Sequence, residues 1–408
     1  MIELLILADD FTGALDTGVQ FAQNSIGTVV LTDRTFRADL VDETKRVLVI
    51  DTETRHLKPD DAYRIVHRIV KDATAFGIRH IYKKTDSALR GNVGSELTAA
   101  LRASRQDRLS FVPAYPAMQR YTRGGVQYYG DLPIHQSVLG QDPFDPVQCS
   151  YIPDLIAQQS DAAVSTIDPA AQHTDGNDLH GIVCYDCETD AEMSRLAARL
   201  YRADGETLLA GCAGMAAALA SLIGETRQAV RLETCGGLIV LNGSLNPVSG
   251  EQVRYASEDG FTCIVLDEKQ KLDRGYFRMA QGRSFLDGLT EAYHTSKRLI
   301  LSSGVSQNVI SEAEQLDENR RRISENLGEL AAALMRSCDD AALFVVGGDT
   351  LMGFLNSVEC EQIEPICEIQ SGTVAFHIVL DGRKRLVAAK SGGFGGPDLL
   401  VNAARQLL

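Results

Sequence analysis

Two adjacent carboxylates, Asp9 and Asp10, follow an unbroken apolar run, Leu4 to Leu7, and precede residues at helical spacing, Ala14, Gly18 and Phe21. A short apolar run that stops abruptly reads as a buried parallel strand, and Thr12 is a residue type that caps helices. The pair is therefore expected in a turn at a strand's carboxyl end, where open α/β sheets keep their ligands. In that position two carboxylates suit a general base, a hydroxyl-orienting pair or a magnesium ligand; the plainer alternative is a helix cap beside one solvated aspartate.

A second stretch, His80 to Glu96, delivers Lys83, Lys84, Asp86, Ser87 and Arg90 into one loop after a short strand. Such a loop suits a carboxylate or phosphate ligand, with Arg90 as a two-pronged clamp. The strand Leu109 to Val112 then leads through Pro113 and Pro116 to Gln119, Arg120, Arg123, Gly124 and Gly125. From there to Pro146 the chain is rich in Gly, Pro and Tyr and reads as a flap or hairpin that could close over a substrate.

Three further strand ends are built from small residues. Leu238 to Leu241 runs into Asn242-Gly243-Ser244, Leu343 to Val346 into Gly347-Gly348-Asp349-Thr350, and Arg385 to Ala389 into Lys390-Ser391-Gly392-Gly393. Glycines there let a phosphate approach backbone N–H groups, and Asp349 or Thr350 could hold a ribose hydroxyl, phosphate or metal-bound water. Neither Gly-rich turn matches the P-loop or dinucleotide pattern, so it is the pair that points to a nucleotide.

These stretches need a scaffold, and 408 residues is enough for two domains. The expected fold is α/β: two α/β domains with mainly parallel sheets and a substrate cleft between them. The charged segment Gly224 to Glu233 lacks an apolar stripe and marks the boundary, giving domains 1–232 and 233–408. A net charge of −15 argues against broad nucleic-acid binding. No apolar run is long enough for a membrane helix, so a cytoplasmic protein is expected. Nine cysteines without a framework spacing, the Cys184-x-x-Cys187 pair included, read as buried thiols rather than a disulfide or zinc set.

In order, ADDFTGA (Ala8 to Ala14), KKTDSALRGN (Lys83 to Asn92), NGS (Asn242 to Ser244), GGDT (Gly347 to Thr350) and KSGGFG (Lys390 to Gly395) resemble the four-carbon acid sugar kinases over nearly the whole chain. The resemblance implies an N-terminal acid-sugar-binding domain, a C-terminal ATP-binding domain, and magnesium-dependent phosphorylation of threonate, erythronate or 3-oxo-tetronate at the terminal hydroxyl. By motif position, Asp9, Asp10 and Arg90 would be catalytic, and Lys84, Asp86, Ser87 and Arg120 would bind the acid sugar. Ser244, Gly347 to Thr350, Lys390, Gly392 and Gly393 would bind the nucleotide. Metal ligands and oligomeric state stay open, a homodimer included. Family members often carry Gly-Arg where this chain has Gln119-Arg120, Gly-Ser-Ala-Gly where it has Gly211-Cys212-Ala213-Gly214, and Pro after the glycine where Thr373 follows Gly372. Two rivals remain: a sugar-acid lyase or aldolase with Lys83 or Lys84 as a Schiff base, and a non-catalytic sugar-acid sensor.

Overall fold

The structure, a computed structural model, describes residues 2–141, 145–169, 179–224, 232–304 and 313–408, with side chains from 318 onward in the last span. Most of the expected boundary segment, 225–231, lies outside the described residues, as do 142–144 near the end of the flap segment. The chain forms two compact units, Met1–Ala229 and Val230–Leu408.

The first unit begins β1 (Leu4–Ala8), α1 (Phe11–Ala22), β2 (Thr28–Leu31), β3 (Val47–Asp51), α2 (Pro59–Phe76), β4 (His80–Lys84), α3 (Val93–Ala103) and β5 (Arg108–Val112). An antiparallel excursion follows: β6 (Arg120–Arg123), β7 (Val126–Tyr129) and β8 (Leu132–Pro133). Then come α4 (Ile152–Ala157), β9 (Val164–Ile167), β10 (Gly181–Tyr185), α5 (Asp190–Leu200), β11 (Thr207–Gly211) and α6 (Ala213–Ile223). The main strands lie in the order β2-β3-β1-β4-β11-β5-β10-β9, and their described pairings are parallel. From β1 the chain crosses to β2, returns to place β3 between β2 and β1, and then places β4 on β1's other side. That reversal opens a crevice beyond the carboxyl ends of β1 and β4.

Local physics explains these elements. β1 is buried along its whole length, as a strand covered on both faces must be. The stripe Ala62, Val66, Ile69, Val70 and Ala73 turns α2 onto the core; Pro59 opens that helix and Gly77, in the left-handed region, ends it. One expectation is corrected. The cap of α1 is Asp10 rather than Thr12: Asp10 is extended and its carboxylate accepts the Gly13 amide at 3.1 Å, so the helix starts directly after the acidic pair.

The second unit runs β12 (Gly237–Asn242), α7 (Pro247–Glu258), β13 (Thr262–Val265), α8 (Glu268–Leu272), α9 (Ala280–Ser296) and β14 (Arg298–Ser302). It continues through α10 (Ala313–Ser337), β15 (Ala341–Val346), α11 (Gly348–Ser357), β16 (Gln362–Gln370), β17 (Thr373–Leu380), β18 (Arg383–Lys390) and α12 (Leu399–Leu407). Strand order is β13-β14-β12-β15-β18-β17-β16, parallel except that β17 runs against both β18 and β16. The chain again reverses direction across the sheet, here between β12 and β15. The three small-residue turns of the sequence all emerge at the carboxyl ends of β12, β15 and β18.

Adjacent lysines on β4 must point to opposite faces, because side chains alternate along a strand. Lys83 is fully buried, and its Nζ lies 3.0 Å from Glu96 Oε2 of α3 and 2.7 Å from the Lys84 carbonyl. Removing one partner strands a buried charge, which typically costs about 3–5 kcal/mol. Lys83→Met alone should therefore lower the urea midpoint sharply, and Lys83→Met with Glu96→Leu should recover much of it. A single variant as stable as wild type would show that the pair carries no such burden.

Candidate active site and its relatives

Four strand ends converge in the first unit. Ala8 of β1 is in register with Asp51 of β3 and Lys84 of β4, and Lys84 with Gly211 of β11, so the residues that follow share one crevice. Asp9 accepts Arg55 Nε at 2.7 Å and Lys84 Nζ at 3.3 Å; Asp10 accepts Arg55 Nη1 at 2.7 Å and the same Lys84 Nζ at 3.3 Å. Asp86 takes Arg90 through both prongs at 2.9 Å, caps its own turn at the Ala88 amide, and lies 3.8 Å from Arg55. Three carboxylates thus face three permanent cations within one buried cluster.

Protonation follows from that arrangement. Burial alone would raise the Asp9 carboxyl, but Lys84 and Arg55 overcome it and hold Asp9 far below the usual carboxylate range. Asp86 is likewise held low, with burial opposed by Arg90 and Arg55. Burial works to discharge Lys84, yet Asp9 and Asp10 win and its ammonium is held above the normal lysine value. Burial together with the charges of Glu53 and Asp10 pushes the Asp51 carboxyl well above the usual carboxylate range. The Asp10 side chain is 24% exposed, against 3% for Asp9 and 9% for Asp86. Asp10 is therefore the carboxylate of the three most open to a ligand.

The geometry changes how the expected residues divide. Arg90 was expected to clamp a substrate carboxylate, but its fork is filled by Asp86, and the two together shape the Asp86–Arg90 turn. Ser87 sits in that turn, its carbonyl accepting from Gln127 of β7. Arg120, at the start of β6, has its Nε buried without a hydrogen-bond partner among the described residues. The charges of Arg120 and Lys84 both act on the Cys212 thiol, which burial raises. Sequence reasoning missed Arg55, the cation that ties Asp9 to Asp10. Its signal was present in the polar run Asp51 to Arg55 at the end of a third strand.

Left-handed backbone at non-glycine residues recurs in these loops, at Glu53 (φ 45°), Leu89 (φ 65°) and Gln119 (φ 58°). Glu53 earns its conformation by accepting the Phe11 amide at 3.1 Å, which joins the β3 loop to the start of α1. Gln119 occupies the position where the resemblance has glycine, the residue that adopts this conformation without strain.

In the second unit the strand ends form a cradle. Gly347, at φ 114°, precedes α11, and its amide bonds the Lys390 carbonyl at 3.0 Å. A Cβ on Gly243 would meet Thr350 Oγ1 at 1.9 Å, and one on Gly392 would meet Ser244 Oγ at 2.1 Å, so the three turns approach closely only as glycine. Asp349 is exposed at the rim and pairs with Arg320 at 3.0 Å. Gly393 lies beside Asn246. Lys390 is buried, with its ammonium on the carbonyls of Ser391, Gly392 and Phe394 at 2.9–3.1 Å. Sequence reasoning also missed Ser249 and Gln252 of α7, which donate to the same loop.

Residues 4–219 match the family described as a sugar-binding N-terminal domain, and residues 239–400 the family described as a nucleotide-binding C-terminal domain. The chain belongs to the four-carbon acid sugar kinase family. Within this kinase family it is 28% identical to a D-threonate kinase of Bordetella bronchiseptica, over 98% of this chain and 96% of that one. It is 24% identical to a D-erythronate kinase of Heliobacterium modesticaldum, over 100% and 98%. A 3-oxo-tetronate kinase of Cupriavidus necator is also 24% identical, over 98% and 96%. A crystal structure from Salmonella typhimurium LT2 shares the fold with a TM-score of 0.83 at 20% identity, each chain covered in full. No helix among the described residues is long and apolar enough to cross a membrane.

For this kinase-family chain the depressed Asp9 and Asp86 carboxyls set an acid limit. Their folded values lie below the unfolded value of about 3.9, so their stabilisation is complete above that pH and is lost as pH falls toward the folded values. Urea midpoints should therefore drop steeply below about pH 4, and less steeply in Arg55→Met, where the carboxyls lose a cation. A wild-type midpoint that stays flat between about pH 5 and about pH 3 would contradict the charge network as drawn.

Proposed function

We propose that this kinase transfers the γ-phosphoryl group of ATP to the terminal hydroxyl of a four-carbon sugar acid of the threonate, erythronate or 3-oxo-tetronate type. The observation that carries the reading is the charge-balanced cluster at the β1–β4 reversal, in which Asp10, alone of the three carboxylates, combines tight positioning with substantial exposure. Phosphoryl transfer asks little covalent chemistry of a protein; it asks for an aligned hydroxyl and offset phosphate charge. Asp10, fixed by the Gly13 amide, Arg55 and Lys84, orients the hydroxyl and receives its proton. Asp9 is too strongly held as an anion to serve as base, so it anchors Arg55 and Lys84. Arg120, with an unspent donor, takes the substrate carboxylate in the role first expected of Arg90.

On this reading the second unit's glycine turns and Ser244 hold the nucleotide phosphates. Among the described residues no three His, Cys, Asp or Glu side chains converge on a metal site. Magnesium would then be carried by the nucleotide phosphates, a mode that needs only one or two protein carboxylates, and Asp349 is the carboxylate at the cradle's rim. It would supply charge neutralisation on the phosphates. A Schiff-base lyase is the weaker reading: it needs a neutral amine, whereas Lys84 is held as a cation and Lys83 is buried against Glu96 on the other face.

ADP release with magnesium and ATP, measured across the stereoisomers of threonate and erythronate and across 3-oxo-tetronate, tests the reading; silence with every acid overturns it. Tight tetronate binding without ADP release would favour a sensor instead. Asp10→Asn should lower kcat by roughly 10²–10⁴-fold with little change in KM. Wild-type kcat in that variant would remove Asp10 from the chemistry. Arg120→Lys should raise KM for the acid about tenfold or more while leaving ADP affinity unchanged, since charge survives but the two-pronged geometry does not. Equal weakening of both ligands would place Arg120 on the phosphates.

A further inference from the structure

Lys390 was expected to bind the nucleotide, and its geometry points its ammonium at the backbone of its own loop. A lysine ammonium has three protons to donate, and here three backbone carbonyls, of Ser391, Gly392 and Phe394, accept them. Ser249 Oγ adds a second donor to the Gly392 carbonyl at 2.7 Å. The buried Gln252 amide reaches the carbonyls of Phe394, Gly395 and Gly396 at 3.0–3.2 Å. Most of the turn's carbonyls are thus drawn inward.

The described residues contain no cis peptide bond, and in a planar trans peptide the N–H points opposite to the carbonyl of the preceding residue. The amides of Gly392, Gly393 and Gly395 consequently face away from the ammonium, that of Gly396 faces away from Gln252, and none of them has a hydrogen-bond partner among the described residues. Gly392 lies against Ser244 and Gly393 against Asn246, at the cradle described above. Outward-facing glycine amides backed by a buried positive charge form an anion-binding concavity.

We propose that Lys390 is a positioning residue for the nucleotide, an internal cation that holds the Ser391–Gly396 carbonyls inward so that the glycine amides are presented to a phosphate, without touching that phosphate itself. The proposal rests on the reading of the second unit as the nucleotide site. It makes nucleotide affinity depend on the charge of Lys390. Burial lowers that group from the usual lysine value to about 8, and among the described residues no carboxylate pairs with it. The strands in register with it present Val346 and Thr373, and α7 presents the neutral Ser249 and Gln252. Of the carboxylates around the turn, Glu368 accepts the Gly372 amide, Asp349 pairs with Arg320, and Asp398, which lies beside Gly396, accepts from Asn402 Nδ2 at 2.7 Å.

Calorimetric titration of the full chain with magnesium ADP, repeated in buffers of different ionisation enthalpy, tests the idea. With a group titrating near 8, wild-type affinity should fall about tenfold between about pH 7 and about pH 9, with proton uptake on binding near pH 8. Lys390→Met should bind more weakly at pH 7, show no pH dependence above it, and take up no proton. A wild-type affinity flat over that range, without proton uptake, overturns the proposal even if no Lys390 variant folds. So does a folded Lys390→Met that matches wild type in affinity and pH profile. If the wild type binds no ADP at any pH, the nucleotide assignment of the second unit falls, and this proposal with it.

Discussion

The first unit depends on one electrostatic constraint: carboxylates and cations placed at a sheet's reversal point must neutralise one another, because the sheet is buried on both faces. Asp9 could not stay ionised at 3% exposure without Arg55 and Lys84. Because each of those cations also reaches Asp10, the pairing that makes burial tolerable also fixes the carboxylate left open to solvent. The loops then have little freedom. Arg55 can reach the pair only if the chain after β3 turns back over β1, and the left-handed Glu53 with its bond to the Phe11 amide makes that turn.

The second unit meets its ligand requirement differently. Glycines at three strand ends remove the side chains that would keep the turns apart, and polar groups from α7 and from Lys390 order the backbone behind them. One buried ammonium, that of Lys390, lies behind the turn, and the Asp349–Arg320 pair sits at the rim. The two units therefore order their loops differently: by paired charged side chains in one, by backbone carbonyls drawn onto buried donors in the other.

Much of this was legible in the chain. Apolar runs ending in Asp9-Asp10 and Gly347-Gly348 located β1 and β15, since a strand buried on both faces leaves a continuous apolar signature. Asp381-Gly382 located the β17–β18 turn, where both residues do take positive φ. Long-range pairing was not legible. Nothing local says that the fork of Arg90 goes to Asp86, or that Arg55 crosses from β3 to β1. β16 and α9 escaped notice because their patterns are weak: β16 contains Pro365 and is mostly half-buried, and α9 fully buries only Gly282, Leu289 and Tyr293. Cys212, at the N-cap of α6, points its Sγ at the Ala114 carbonyl, a contact across from another loop that no local pattern announces.

The two neighbouring lysines of β4 carry a consequence for how this sequence can change. One serves the crevice and the other the core, and only their alternation along the strand keeps them apart. A single-residue insertion or deletion within His80–Lys84 would exchange their faces, pressing the crevice lysine against Glu96 and turning the core lysine out toward Asp9. Charge would be conserved at both places, so a comparison of composition would miss the change, yet the stem lengths and anchor points would no longer match either partner. Strand β4 is therefore constrained in length as well as in composition.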